Sequence, residues 1–203
     1  MTVVATMAIS LDGIGAGDHQ TEERPFGDVP ENALHRWMFD APEENKPEID
    51  NILGAGAYIM GRNMFGPVRG EWDRDWRGWW GPNPPYHAPV FVLTHHPREP
   101  VEMEGGTTFH FVTDGIHAAL ERAFEVAGDR PIHVAGGPTT TNAYLGAGLV
   151  DELRLNISPA VLGSGLRLLD GVGRLDLEQI SGRSTSLVTH VHYRVLRDAR
   201  SPA

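Results

Sequence analysis

The stretch Pro131 to Leu153, PIHVAGGPTTTNAYLGAGLVDEL, limits the possible folds more sharply than any other part of the chain. Ile132 to Ala135 is an apolar, β-branched run of strand length. Gly136-Gly137-Pro138 ends it, and Tyr144, Leu145 and Leu149 then recur at helical spacing. Proline suits a first helical position, because its ring presets φ and that position needs no N–H partner. Two readings of the turn stand side by side. Either the free N–H groups and positive dipole end at the helix start hold an anion such as phosphate, or the glycines make a tight strand-to-helix connection with no ligand.

The rest of the chain repeats the alternation. Val3 to Ile9 is apolar on both sides and reads as a central strand. Ser10-Leu11-Asp12-Gly13 leads out of it into a glycine-spaced, flexible loop from Ile14 to Gly17. Gly13, Gly15 and Gly17 do not match a dinucleotide fingerprint, since the spacing is wrong and no helix opens behind them. Helices are expected over Pro30 to Phe39 and around Glu48 to Leu53. Strands are expected at Ala57 to Met60, Pro89 to Thr94 and Thr108 to Val112. A helix capped by Thr113 or Asp114 should follow and close at Gly128. Glu152 to Ile157 and Leu187 to Leu196 alternate and read as late antiparallel strands. Pro159 to Leu169 reads as an irregular turn, and the tail from Arg197 to Ala203 as frayed. The expected fold is α/β, with a mostly parallel central sheet and antiparallel strands at the carboxyl end.

Ligands in such sheets bind beyond the carboxyl ends of the strands. Three of those ends carry suitable groups: Gly61-Arg62, Thr94 to Arg98, and Gly136 to Thr140. Residues 70 to 89, with Trp72, Trp76, Trp79, Trp80 and Tyr86, read either as a lid or aromatic wall over a flat substrate, or as a long loop burying its own rings or a subunit contact.

Composition narrows the chemistry. A net charge of -10 argues against a nucleic-acid or anionic-membrane surface, so an anionic ligand needs local positive groups. The absence of cysteine excludes thiolate and disulfide chemistry. No apolar run approaches the ~18 residues of a membrane span, and the cytoplasm is the expected compartment. His190 and His192 share a strand face without a third ligand at suitable spacing, so no metal is expected. The absence of a nucleophile elbow and of a Walker lysine leaves hydrolase and kinase readings unsupported.

Several short pieces, in this order and spacing, resemble one family. They are Ser10-Leu11-Asp12-Gly13, Gly61-Arg62, Val92-Leu93-Thr94, Gly136-Gly137 with Leu145, Gly148 to Leu153, and Leu162-Gly163-Ser164-Gly165. Over roughly Val3 to Leu196 the chain resembles the reductase domain of the riboflavin-biosynthesis deaminase–reductase, which shares the dihydrofolate reductase fold. The resemblance implies a single three-layer reductase domain, a homodimer, NADPH as cofactor and a small heterocyclic substrate. It places Gly61, Arg62 and Asn63 on the cofactor phosphates. Gly136, Gly137, Pro138, Thr139 and Thr140 face the pyrophosphate and nicotinamide ribose. Thr94, His95 and Arg98 lie near the adenosine 2′-phosphate. The riboflavin enzymes carry an Asp-Asp-Pro segment where this chain has Met64-Phe65-Gly66-Pro67, which resembles the stand-alone branch of the fold.

Asp12 is the candidate for orienting substrate or relaying a proton; its other reading is an Asp-Gly turn residue. Asp40 and Glu31 are weaker proton-donor candidates. Ile14, Trp37 and Tyr144 are the substrate-side candidates.

Overall fold

The structure, a computed structural model, describes residues 1–30 and 32–196. Glu31 and the tail 197–203 lie outside the described residues.

A nine-stranded sheet organises the chain. Six strands run parallel side by side: β8 (Glu152–Ser158), β1 (Val3–Ser10), β7 (Ile132–Gly136), β3 (Ala57–Gly61), β4 (Pro89–Leu93) and β6 (Thr108–Val112). β5 (Val101–Glu102) closes one edge antiparallel to β6. At the other edge β11 (Thr189–Leu196) pairs antiparallel with β8, and β10 (Asp176–Ser184) with β11. The α/β class and the mostly parallel sheet agree with the sequence pattern. Val3, Val4, Ala5, Met7 and Ile9 are buried on both faces, as a strand between two parallel neighbours requires.

Two helices cover one face: α4 (Gly115–Val126) and α5 (Pro138–Gly146). Ala119, Leu120, Ala123, Tyr144 and Leu145 pack there against Val3, Ala5, Ile59, Ile132, Val134 and Leu153. Gly128, at φ +59, terminates α4 in the left-handed region where glycine carries no penalty. The opposite face buries Tyr58, Met60, Val90, Val92 and Phe109 beneath Phe65 and the rings of residues 70–89. Among the described residues no helix is long and apolar enough to cross a membrane.

Four expectations change. Glu152–Ser158 is parallel to β1, not antiparallel, because α5 returns the chain to the start of the sheet before β8 begins. The expected helix over Pro30 to Phe39 shrinks to α1 (Arg36–Phe39), preceded by turns such as His35 N–H to Asn32 O at 3.2 Å. The glycine-spaced loop contains β2 (Ile14–Ala16), paired with β9 (Leu166–Arg167), so it is anchored. β10 went unpredicted because its sequence, DLEQISGRS, is polar and largely exposed and lacks an alternating apolar face. α2 (Lys46–Leu53) matches its expected place.

Candidate functional site

The two glycine turns sit side by side. β3 and β7 are hydrogen-bonded neighbours, with Met60 level with Gly136. Gly137 caps α5 in an extended conformation and no side chain caps the helix, so its first N–H groups are left for a ligand or water. Gly61 does the same for α3 (Arg62–Phe65), but α3 is a single turn and carries little dipole, so the stronger helix-end field is that of α5. A side chain at Gly61 would put its Cβ 2.3 Å from Thr140 Oγ1, so the start of α5 leans over the β3 turn. Gly136, at φ +121, faces Met7 Sδ at 3.1 Å and Met64 Sδ at 3.6 Å from where a Cβ would stand. The Gly136–Gly137 peptide is cis. A Cβ at Gly137 would meet nothing within 4 Å, so the space above this turn is open.

Beside the turns is a positive corner. The Arg62 guanidinium lies 3.9 Å from the Trp72 ring centroid, and Arg98 approaches the same ring at 4.9 Å. Nη1 of Arg62 reaches Thr94 Oγ1 at 3.4 Å, whereas its buried Nε and Nη2 have no hydrogen-bond partner among the described residues. Desolvation lowers the proton affinity of Arg62, Arg69 and Arg98 below the usual arginine value, and like-charge contact with Arg69 and Arg98 adds to the effect at Arg62. All three still carry charge at any accessible pH. Two buried donors on a cation, at a strand end beside an uncapped helix start, are groups that an anion would satisfy within an acidic chain. The residues therefore fit a phosphorylated cofactor on two counts, these unpartnered donors and the open space above the uncapped turn at Gly137.

The RibD C-terminal domain family matches residues 1–192. The chain belongs to that family. Family membership implies an oxidoreductase. Protein YyaP of Bacillus subtilis (strain 168) is 34% identical over 77 residues, 37% of this chain and 40% of that protein. A protein assigned to riboflavin biosynthesis in Shewanella sp. PV-4 superposes with a TM-score of 0.58 at 22% identity, covering 97% of this chain and 100% of that one. The diaminohydroxyphosphoribosylaminopyrimidine deaminase/5-amino-6-(5-phosphoribosylamino)uracil reductase of Thermotoga maritima superposes with a TM-score of 0.58 at 16% identity. That match covers 96% of this chain and 56% of the Thermotoga chain, so this chain spans little more than half of that protein.

Within this RibD C-terminal domain the structure brings Gly61, Arg62, Thr94, Gly136, Gly137, Pro138 and Thr140 to neighbouring strand ends. Thr139, Asn63 and His95 are exposed beside them. Arg98 is committed to the tryptophan segment: Nη1 donates to Trp76 O at 2.6 Å and Nη2 to Asp75 at 2.9 Å. Its guanidinium braces Trp72 rather than reaching outward.

Asp12 takes its turn-residue role. Ser10 Oγ donates to it at 2.6 Å, and the N–H groups of Leu162 and Gly163 at 3.0 and 2.8 Å. These donors, the serine first, hold the carboxyl well below the usual carboxylate range. An acid so stabilised as its anion is a poor proton relay near neutral pH, and these contacts are those of a turn residue. Trp37 and Tyr144 are buried: Trp37 Nε1 donates to Leu34 O at 3.0 Å, and Tyr144 Oη to Ile116 O at 2.7 Å within the α4–α5 core. Ile14 is fully buried on β2. None of these three rings or chains is open to a substrate. Asp40 is exposed and paired with Arg36 at 2.9 Å.

Sequence reasoning missed two parts of the site. Trp72, one ring in a segment of four tryptophans, is the one under Arg62; only its distance in space reveals it. The segment 17–28 folds into a hairpin-like strap, with Gly17 N–H on Phe26 O at 3.0 Å. It is tied across the site by Gln20 to Arg69 at 2.8 Å and by Glu22 to Arg74 at 2.9 Å.

Proposed function

We propose that the chain is an NAD(P)H-dependent reductase of a small heterocyclic substrate, of the 5-amino-6-(5-phosphoribosylamino)uracil reductase type. The observation that carries this reading is the open, uncapped start of α5 at Gly137, beside the unpartnered Nε and Nη2 of Arg62. The N–H groups after Gly137, with Thr139 and Thr140, would hold the diphosphate. Arg62 would take a further phosphate while Trp72 holds its guanidinium in place. A bound dihydronicotinamide supplies the hydride, and the protein's part is alignment and exclusion of water. Met7 and Met64, flanking Gly136, give a soft apolar floor against which a flat ring can lie. The strap 17–28, tied to Arg69 and Arg74, roofs the same end of the sheet.

A second reading concerns the substrate. Leu11 and Val161 are each 71% exposed, and the Leu11 N–H to Ala160 O bond at 2.8 Å brings their segments together at the mouth of the β1 end. Together with Met64-Phe65-Gly66-Pro67, this favours a less polar heterocycle, reduced in the manner of dihydrofolate reductase. The test is a nucleotide panel followed by turnover. NADPH, NADH and FMN are titrated against the intrinsic tryptophan fluorescence, and NADPH oxidation is then followed with the ribosylaminopyrimidine phosphate and with dihydrofolate. NADPH binding with oxidation on the pyrimidine supports the first reading, and oxidation on dihydrofolate alone the second. Failure to bind either nicotinamide nucleotide refutes both.

A further inference from the structure

One turn behind the open start of α5, Asn142 ties the helix to a segment distant in sequence. Its Nδ2 donates to Arg167 O at 3.0 Å and to Asp170 O at 3.2 Å, and its Oδ1 accepts the Leu169 N–H at 2.8 Å. Both donors of the carboxamide are used in this way. Leu169 sits at φ +69, in the left-handed region that a leucine rarely adopts. The conformation of residues 167–170 is therefore imposed from outside, and the three bonds to Asn142 impose it.

The segment so held is one leg of an arch. β9 pairs with β2, Ile14 level with Arg167 and Ala16 with Leu166, and the Leu168 N–H adds a bond to Gly13 O at 2.9 Å. The other leg, β2, comes down on the cofactor turn. A Cβ at Gly15 would stand 2.7 Å from Pro138 Cγ and 3.0 Å from Met7 Cε. Pro138 opens α5, and Met7 lies against Gly136. The contacts close a ring, from Asn142 through β9 and β2 to Pro138 and back along one turn of the helix. Ser10 Oγ, accepting the Ile14 N–H at 2.9 Å, fixes β2 to the end of β1, and Asp12 holds Leu162 and Gly163. Asn142 is the link that sets the arch against α5 itself. The Gly15–Pro138 approach is a van der Waals contact and gives no direction of its own.

We propose that Asn142 is a positioning residue for the nicotinamide end of the cofactor: it sets where the β2–β9 arch stands over the start of α5, beside the floor made by Met7 and Met64. The inference rests on the nicotinamide-dependent reading above. The diphosphate grip uses the N–H groups after Gly137 and the Arg62 guanidinium, none of which belongs to the arch. Loss of Asn142 therefore frees one end of the cofactor and leaves the other held. A displacement of ~1 Å at a reacting ring is enough to slow transfer about a hundredfold.

The test compares NADPH with 2′-phospho-ADP-ribose, which lacks the nicotinamide, on the full chain and on two variants. Asn142→Ala releases the outer leg of the arch. Gly15→Ala reaches the same contact from the inner leg: Gly15 is not at positive φ, so the added methyl acts only by pressing on Pro138 and Met7. Affinities come from tryptophan quenching, and the anisotropy of the dihydronicotinamide emission reports how firmly the ring is held. Both variants should bind the ring-less fragment within about threefold of the wild type, while NADPH weakens about tenfold and its ring emission loses anisotropy. A general loss of stability would weaken both ligands alike and cannot produce that split. Equal changes for the two ligands, or ring anisotropy unchanged in both variants, would overturn the inference. A wild-type chain that binds no NADPH fails before any substitution, and so refutes the nicotinamide reading on which the inference stands.

Discussion

Gly137→Asp separates folding from binding more cleanly than any other change. Gly137 has φ -69 and ψ -167, which any L-residue can adopt, and its Cβ would meet nothing within 4 Å. Aspartate is also a favoured N-cap, so the helix start keeps or gains stability. The new carboxylate would stand where a diphosphate needs to sit. Two unit charges ~4 Å apart at an effective dielectric of ~20 repel by about 4 kcal/mol. Solvent reaching an open turn reduces this to roughly 2 kcal/mol. The expected result is NADPH affinity weakened roughly 30- to 1000-fold, with Gly137→Ala within about threefold of the wild type. The assay is tryptophan quenching by NADPH, with a thermal melt of each variant as the control for folding. An aspartate variant that folds and binds NADPH like the wild type would refute the reasoning, because no diphosphate could then lie on this turn.

Other outcomes follow from the same geometry. Arg62→Met removes the two unpartnered donors but keeps an apolar contact with Trp72, so NADPH affinity should fall about tenfold and NADH affinity much less; equal losses would deny Arg62 a phosphate role. Asp12→Asn should lower the melting temperature yet leave the pH profile of turnover unchanged between pH 5 and 8. Its folded pKa is depressed, so its stabilisation is complete above the unfolded value of ~3.9 and is lost only as pH falls toward the folded one; loss of an acidic limb in the variant would restore it as a proton relay. His35 and His133 are buried, and desolvation lowers both to about 4 from the usual 6.5. Between those values the unfolded chain binds protons that the folded rings refuse, so stability falls as pH drops from 6.5 toward 4. From pH 7 to pH 5 the loss should be about 2 kcal/mol per ring. Denaturant melts of the wild type and His35→Phe would show it, and a flat profile in the wild type contradicts it.

Much of this architecture was legible because strand length, helical spacing and turn chemistry agree along residues 131–153 and 57–66. Ile132 to Gly136 and Ala57 to Gly61 are continuous apolar runs, and glycine marks each carboxyl end. Adjacency of the two turns was inferred only through the fold class, because pairing between distant strands leaves no local trace. The direction of β8 was misread for a related reason: alternation reports one buried face, not the sense of the neighbouring strand. Asp12, Trp37 and Tyr144 show the limit at the level of side chains. A carboxylate after a strand looks the same in sequence whether it meets a substrate or the N–H groups of Leu162 and Gly163, 150 residues away. Likewise, an aromatic ring on a helix gives no sign of which way it faces. The tryptophan segment follows the simpler of its two readings, since Trp72, Trp76 and Trp80 pack on the sheet, although Trp72 also props Arg62.

The most direct test of the central claim is a crystal structure of the chain grown with NADP+. The account predicts diphosphate oxygens within hydrogen-bond distance of the first N–H groups of α5, after Gly137, and a phosphate oxygen on Nε or Nη2 of Arg62. A nucleotide bound at any other strand end, with both of those positions left to water, would contradict it.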